Sequence, residues 1–199
     1  LVDMSSSTVL PNEYNSPENI LALEQVMTAQ YVRAAKVNTT LWKMYTSSDL
    51  RRSKYFNQVT VSNILVAKGG SNQYSCSFRV GEIYLNAAEA ALMTGESAMP
   101  AARTYLLTLI KQRYKAAAYT EKETAINAMG RDELLQEIYD ERTRELAFEG
   151  HRWFDLRRTT RPRLEKTYSG TTYVLEENDS RYTIRIPSEA IEANPGLAN

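Results

Sequence analysis

Residues 140–158 read Asp-Glu-Arg-Thr-Arg-Glu-Leu-Ala-Phe-Glu-Gly-His-Arg-Trp-Phe-Asp-Leu-Arg-Arg, and helical spacing sets charged side chains among those that must be buried. At 100° per residue, Leu135, Ile138, Leu146, Trp153 and Leu156 form one apolar stripe. Arg142 and Glu149 fall in the middle of that stripe and Glu145 at its edge, whereas Asp140, Arg144, His151 and Asp155 take the opposite, solvent-like face. An isolated buried charge is strongly unfavourable, so Arg142, Glu145 and Glu149 are expected to pair with each other or with a neighbouring helix. Arg113 is the expected outside partner, because it continues the apolar stripe of Ala102, Tyr105, Leu106 and Leu109 on the preceding helix. The competing reading is a solvated face laced by weak pairs such as Asp140 with Arg144 or Glu149 with Arg152. The rarity of unpaired buried charge favours the structural network.

Upstream, Val80, Ile83, Tyr84, Ala87 and Ala91 share one helical face, the alanines permit close helix approach, and Gly95 supplies a stop. Pro100 suits the first turn of a second helix, running to about Tyr114. Two antiparallel helices joined by a short turn predict a unit like a tetratricopeptide repeat. Residues 115–130 read as a polar connection with room for a short helical turn, and no second full repeat is visible. Asp132 is the expected cap of the charged helix, which should run at least to Phe148, with either a stop there or continuation through Gly150 to Arg158. Gly150 implies either a bend of the axis there or close approach of another backbone, of which close approach is the favoured reading.

The front of the chain is less regular. Residues 1–16 are rich in Ser, Pro and Asn. Ser16-Pro17-Glu18 has the composition of a helix start, with Ile20, Leu23, Met27, Tyr31 and Ala34 following at helical spacing. Residues 42–45 and 48–56 read as short helical turns, and 59–67 as one strand ended by Lys68-Gly69-Gly70. Near the end, Tyr173-Val174-Leu175 and residues 181–186 are expected to pair as a hairpin closed by Pro187, before a last turn at 188–191. The predicted fold is mainly α: tetratricopeptide-repeat-like helix pairs with an irregular, partly β C-terminal subdomain. Residues 1–78 form an irregular mixed segment and 79–199 a helical region, together one compact unit.

Twenty-four basic residues balance twenty-four acidic ones, so nothing in the charge advertises nucleic acid or an anionic lipid surface. The basic cluster Arg157, Arg158, Arg161 and Arg163 is flanked by Asp155 and Glu165 and lacks interleaved aromatics. No run approaches the roughly 18 apolar residues of a membrane span. Cys76 is the only cysteine, which excludes an internal disulfide and a multi-thiolate metal site. His151 is the only histidine, and no signature flanks it or Cys76 as a nucleophile pair. Glu137, Glu141, Glu145 and Glu149 recur every fourth residue, but glycoside hydrolysis needs two carboxyl groups facing each other across a cleft. No catalytic residue, metal or cofactor is therefore expected. Trp42 and Tyr45, beside Asn38, Thr39, Thr40 and Asp49, have the composition of a sugar-binding surface, against the alternative that both pack the core.

The charged stretch Glu141-Arg-x-x-Glu145-Leu-Ala-Phe-Glu149-Gly-x-Arg152-Trp153-Phe-Asp155-Leu-Arg157-Arg resembles the C-terminal signature of the SusD/RagB family, surface-exposed nutrient-binding lipoproteins of Bacteroidetes outer membranes. Arg79-Val-Gly-Glu82-Ile-Tyr84-Leu-Asn-Ala-Ala-Glu89-Ala, Asp49-Leu-Arg51 with Tyr55-Phe56, and the ending from Ile186-Pro187 through Asn194-Pro195 resemble further family motifs in the same order. One departure is Leu107-Thr108-Leu-Ile-Lys111-Gln-Arg113, which keeps only the last arginine of the family's Leu-Asn-x-x-Arg-x-Arg. The resemblance implies an extended segment at 18–24, a scaffold role for the charged helix, and a C-terminal piece of a longer chain. It further implies non-catalytic capture of a glycan or other nutrient and delivery to a SusC-like TonB-dependent transporter. Such a protein sits on the cell surface at the outer membrane, held by an N-terminal lipid anchor that Cys76, deep in the chain, is too far along to provide. The competing functions are a helical-repeat scaffold for protein partners without a small ligand and, less favoured, a glycoside hydrolase.

Overall fold

The structure is a computed structural model that describes residues 1–24, 36–68 and 74–197. Met27, Tyr31, Ala34, Gly69 and Gly70 lie outside the described residues. By its contacts the chain divides into two compact units, Leu1–Glu149 and Gly150–Asn199.

In the first unit, strand β1 (Asn19–Glu24) pairs antiparallel with β4 (Tyr74–Arg79), setting Leu21 opposite Phe78. The extended reading of 18–24 holds here over the helical one. Two short helices, α1 (Thr39–Lys43) and α2 (Arg51–Tyr55), lead into a hairpin of β2 (Phe56–Thr60) and β3 (Asn63–Val66). The single strand expected at 59–67 is thus the turn and second arm of a hairpin. Its reversal at Val61-Ser62 lacks the Gly or Asn-Gly signal that marks most such turns.

Four longer helices follow: α3 (Val80–Met93), α4 (Met99–Lys111), α5 (Ala116–Ala128) and α6 (Arg131–Glu145). The fold is mainly α. Helix α3 buries Gly81, Leu85, Ala88 and Leu92, one residue on from the predicted face, and Ile83 is left exposed. Apolar side chains occupy both flanks of α3, so periodicity alone misjudged the face by about one 100° step. Leu85, Ala88 and Leu92 join Ala102, Leu106, Leu109 and Ile110 of α4 with Ile126, Leu134 and Ile138 in the main core. A second cluster gathers Met4, Val37, Tyr45, Tyr55, Phe56, Ile64 and Val66.

Residues 115–130, read as a polar connection, hold the 13-residue helix α5. Only Ile126 of α5 is fully buried, so its helicity rests on alanine propensity and a narrow contact rather than a broad stripe. Gly130, not Asp132, caps α6, and its N–H donates to Glu133 Oε2 at 2.9 Å.

Helix α6 stops at Glu145, short of the expected Phe148, and does not continue to Arg158. Phe148 (φ 66°) and Gly150 (φ 85°) turn the chain left-handed before α7 (Arg152–Arg158) begins. A Cβ on Gly150 would meet nothing within 4 Å, so this glycine serves backbone conformation rather than close approach. The close-approach glycine is Gly81, where a Cβ would lie 2.5 Å from Arg79 Nη1 and 3.0 Å from Glu145 Oε1.

The second unit carries α7, a hairpin of β5 (Leu164–Tyr168) and β6 (Thr171–Leu175), and α8 (Ser188–Ala193). Tyr173–Leu175 pairs with 164–168 and not with 181–186. Ser169 (φ 47°) and Gly170 (φ 80°) make the tight reversal. Asp179 accepts from Arg181 N–H at 2.8 Å and the Arg181 guanidinium donates to Val174 O, which curls the expected second arm into a turn. Buried Tyr182 stacks on Trp153 at 5.2 Å.

Candidate functional site

Charged arms from seven places in the first unit converge on the end of α6. Glu145 lies at the centre, fully buried. Its Oε1 accepts from Arg79 Nη1 at 2.6 Å and Arg113 Nη2 at 2.9 Å, and its Oε2 from Arg51 Nη1 at 2.9 Å and Arg113 Nε at 3.0 Å. Around this core, Glu18 takes Arg113 Nη2 at 2.7 Å, and Asp49 takes Arg51 through both oxygens. Glu141 bridges Arg51 and Arg144 at 2.6 and 2.7 Å. Glu149 holds Arg79 at 2.8 Å and the Lys68 ammonium. Five cations (Arg51, Lys68, Arg79, Arg113, Arg144) thus meet five carboxylates (Glu18, Asp49, Glu141, Glu145, Glu149), and the charge of these ten groups cancels.

Local structure explains the placement. Arg51 opens α2, Arg79 is the residue before α3, and Arg113 follows α4, so each stands where helix ends leave backbone groups unpaired. Arg79 Nη2 and Lys68 Nζ both donate to Glu145 O at 2.7 Å, and Lys68 also donates to Ala147 O at 3.0 Å. Two cations therefore satisfy the carbonyls at the end of α6 and favour its negative pole, taking the place of another helical turn.

The expected partners Arg113 and Glu145 come together. Arg142 and Glu149 do not. Arg142 donates to Asn86 Oδ1 at 2.6 Å and lies 3.9 Å from Glu82, while Glu149 turns to Arg79 and Lys68. The side chains of Arg142, Glu145 and Glu149 are all buried, as the wheel required, and Arg142 pairs with the neighbouring helix α3. Arg142 and Glu149 do not pair directly because α6 ends before Glu149, so the two residues never share one helix. Arg144, assigned to the solvent-like face, is 5% exposed and paired with Glu137 and Glu141. Glu18, Lys68, Arg51, Arg79, Asp49 and Glu141 were missed as network members. The last four stand in the motifs Asp49-Leu-Arg51, Arg79-x-x-Glu82 and Glu141-x-x-x-Glu145, which was their available signal.

The electrostatics lock this charge. Burial pushes the Glu145 carboxyl up, but Arg113, Arg79 and Arg51 overcome that and hold it well below the usual range. Glu141 and Glu149 are lowered in the same way, against burial, by Arg51 with Arg144 and by Arg79 with Lys68. Burial brings the Lys68 ammonium down to about 8, with Glu149 resisting. Carboxyl groups kept ionised and away from solvent offer neither a proton nor a face to a substrate.

The two aromatic candidates separate. Tyr45 is fully buried and donates its hydroxyl to Arg144 O at 2.7 Å, so it is a core residue with no surface for a ligand. Trp42, in α1, is half-buried and lines an open groove of about 680 Å³ with Asp49, Leu50, Arg52, Phe56, Gln58 and Lys115. The Arg52 guanidinium lies 4.0 Å from the centre of the Trp42 ring, and Phe56 meets that ring edge-on at 5.2 Å. Lys115 reaches the groove because its N–H donates to Ser48 O at 3.0 Å, tying the start of α5 to the segment before α2. Among the described residues, no three His, Cys, Asp or Glu side chains gather as a metal site, and no helix is long and apolar enough to cross a membrane.

The sequence profile of the SusD family matches residues 7–199. No curated protein is significantly similar in sequence. A SusD-like carbohydrate binding protein from Bacteroides vulgatus shares the fold at a TM-score of 0.61 and 19% identity, over 94% of this chain and 50% of that one. A SusD superfamily protein from the same species matches at 0.57 and 19%, over 91% and 45%. This chain spans about half the length of those solved structures. With the profile covering nearly the whole sequence and the same helical architecture in both structures, the chain belongs to the SusD family.

Proposed function

We propose that the chain is part of a non-catalytic nutrient-binding protein on the cell surface, which captures a glycan and passes it to a SusC-like TonB-dependent transporter in the outer membrane. Family membership over residues 7–199 carries this reading. Two features of the molecule support it. The charge network is spent on holding elements together, and the Trp42 groove offers an aromatic ring with polar neighbours at the surface. On this reading residues 1–78 supply most of the groove and residues 79–199 the helical framework, and a lipid anchor elsewhere in the whole protein ties it to the membrane.

Calorimetric titration of the chain with an oligosaccharide panel tests the proposal. Saturable binding to at least one glycan is expected, lost in Trp42→Ala while the variant still unfolds cooperatively at a lower melting temperature, with no sugar released on prolonged incubation. Binding to peptides with no response to any glycan would favour a protein-interaction scaffold instead.

A further inference from the structure

We infer that the groove beside Trp42 selects saccharides that carry a carboxylate, with Arg52 and Lys115 as the anion-binding pair; this rests on the nutrient-binding reading above. The charge state of the groove leads to it. Arg51, Arg79, Arg113 and Arg144 each hold at least one carboxylate. Arg52 and Lys115 line the groove and hold none among the described residues. The one acidic side chain in the lining, Asp49, is 2% exposed, and both of its oxygens are taken by Arg51 at 2.9 and 2.8 Å. Two uncompensated cations therefore face a single, already neutralised carboxylate.

The geometry favours an anion over a neutral ring. Flat stacking of a sugar needs a bare indole face, and Arg52 at 4.0 Å covers one face of Trp42. The guanidinium is itself held in place, sandwiched against the indole and donating through Nη1 to Tyr45 O. One of its donors is used that way, out of the five or so that a guanidinium carries, which leaves a planar fork for a carboxylate. Preorientation reduces the ordering cost of binding. The Gln58 amide and Ser53, both exposed at the rim, suit the hydroxyls of the same ring. A hexuronate unit combines those requirements: a ring carboxylate for Arg52 and Lys115, and hydroxyls for the amide and the serine.

The test is calorimetry of the chain with oligouronates of galacturonate, glucuronate and mannuronate, each beside its methyl ester, which keeps the ring and removes the charge. At least one free acid should bind about tenfold or more tightly than its ester. Arg52→Gln and Lys115→Gln should each weaken the acid by about tenfold while leaving ester affinity nearly unchanged, and added salt should weaken the acid alone. Lys115 is exposed, so its variant keeps the measurement valid even where Arg52→Gln melts early. Equal binding of acid and ester, or acid binding indifferent to both substitutions, would overturn charge selection; neutral oligosaccharides binding at the same time would leave the nutrient reading standing. Failure of every saccharide, charged or neutral, would end both.

Discussion

The end of α6 and the groove at α1 and α2 lie within one compact unit and use the same side-chain types in opposite ways. Around Glu145 every cation meets a carboxylate or a carbonyl and solvent is excluded. At Trp42 the half-exposed Arg52 and the exposed Lys115 hold no carboxylate among the described residues, Arg52 meeting only the Tyr45 carbonyl and the indole ring. The link between the regions is the Asp49-Leu-Arg51-Arg52 run, in which Arg51 turns inward to the network and Arg52, one residue on, turns to the groove. Charge alone does not mark a binding surface. Charge already neutralised by a neighbour marks the framework, and charge that holds no carboxylate marks the proposed binding groove.

The largest test of that contrast is Glu145→Gln, which leaves three buried guanidinium groups short of their shared anion. Stability should fall by about 3 to 5 kcal/mol or more, read from denaturant midpoints. Acid should act on the same feature. Glu141, Glu145 and Glu149 ionise in the fold below their ordinary value of 4.5, so the unfolded chain binds more protons from there downwards. Their stabilisation is complete above that pH and is lost progressively as pH falls below it. Lys68 works on the alkaline side: with its ammonium lowered from 10.5 to about 8, stability should rise over that interval. A urea midpoint that stays flat as pH drops through 4.5 would contradict the buried network.

Glu149→Ala and Arg142→Ala sharpen the comparison inside the network. The first removes the only carboxylate that Lys68 holds among the described residues and one of those on Arg79, and should cost about 3 kcal/mol, whereas the second loses contacts to Asn86 and Glu82 at the edge of the network and should cost about 1 kcal/mol. Equal losses would mean that Arg142 carries more of the network than its contacts indicate. Gly81→Ala forces Arg79 and Glu145 apart and should cost about 2 kcal/mol. Smallest of all, Arg163→Gln in the second unit breaks half-exposed pairs with Glu165 and Glu176 and should shift stability by about 0.5 kcal/mol or less in thermal melts.

Legibility in the sequence followed the strength of the local signal. Helices α3 and α4 were readable from periodicity and from Pro100, and the α6 charges from their place on an apolar stripe. Helix α5 was not, because a helix that buries only Ile126 leaves no stripe to see. The 56–66 hairpin hid behind a largely β-branched run whose reversal at Val61-Ser62 carries no Gly or Asn-Gly signal. Trp42 and Tyr45 shared one composition, yet one faces the groove and the other donates its hydroxyl to Arg144 O across 99 residues of chain.

By itself the sequence determined that the protein is mainly α, that opposite charges are buried together, and which family it joins, since each of these is written in residue type and short-range spacing. Only the tertiary structure decided which charges meet. Glu18, Arg51, Arg79 and Arg113 reach Glu145 from separations of 32 to 127 residues or share its partners, and no local pattern encodes such distances. The end of α6 was decided there too: Lys68 and Arg79, arriving from distant strands, satisfy its last carbonyls and make a further turn unnecessary.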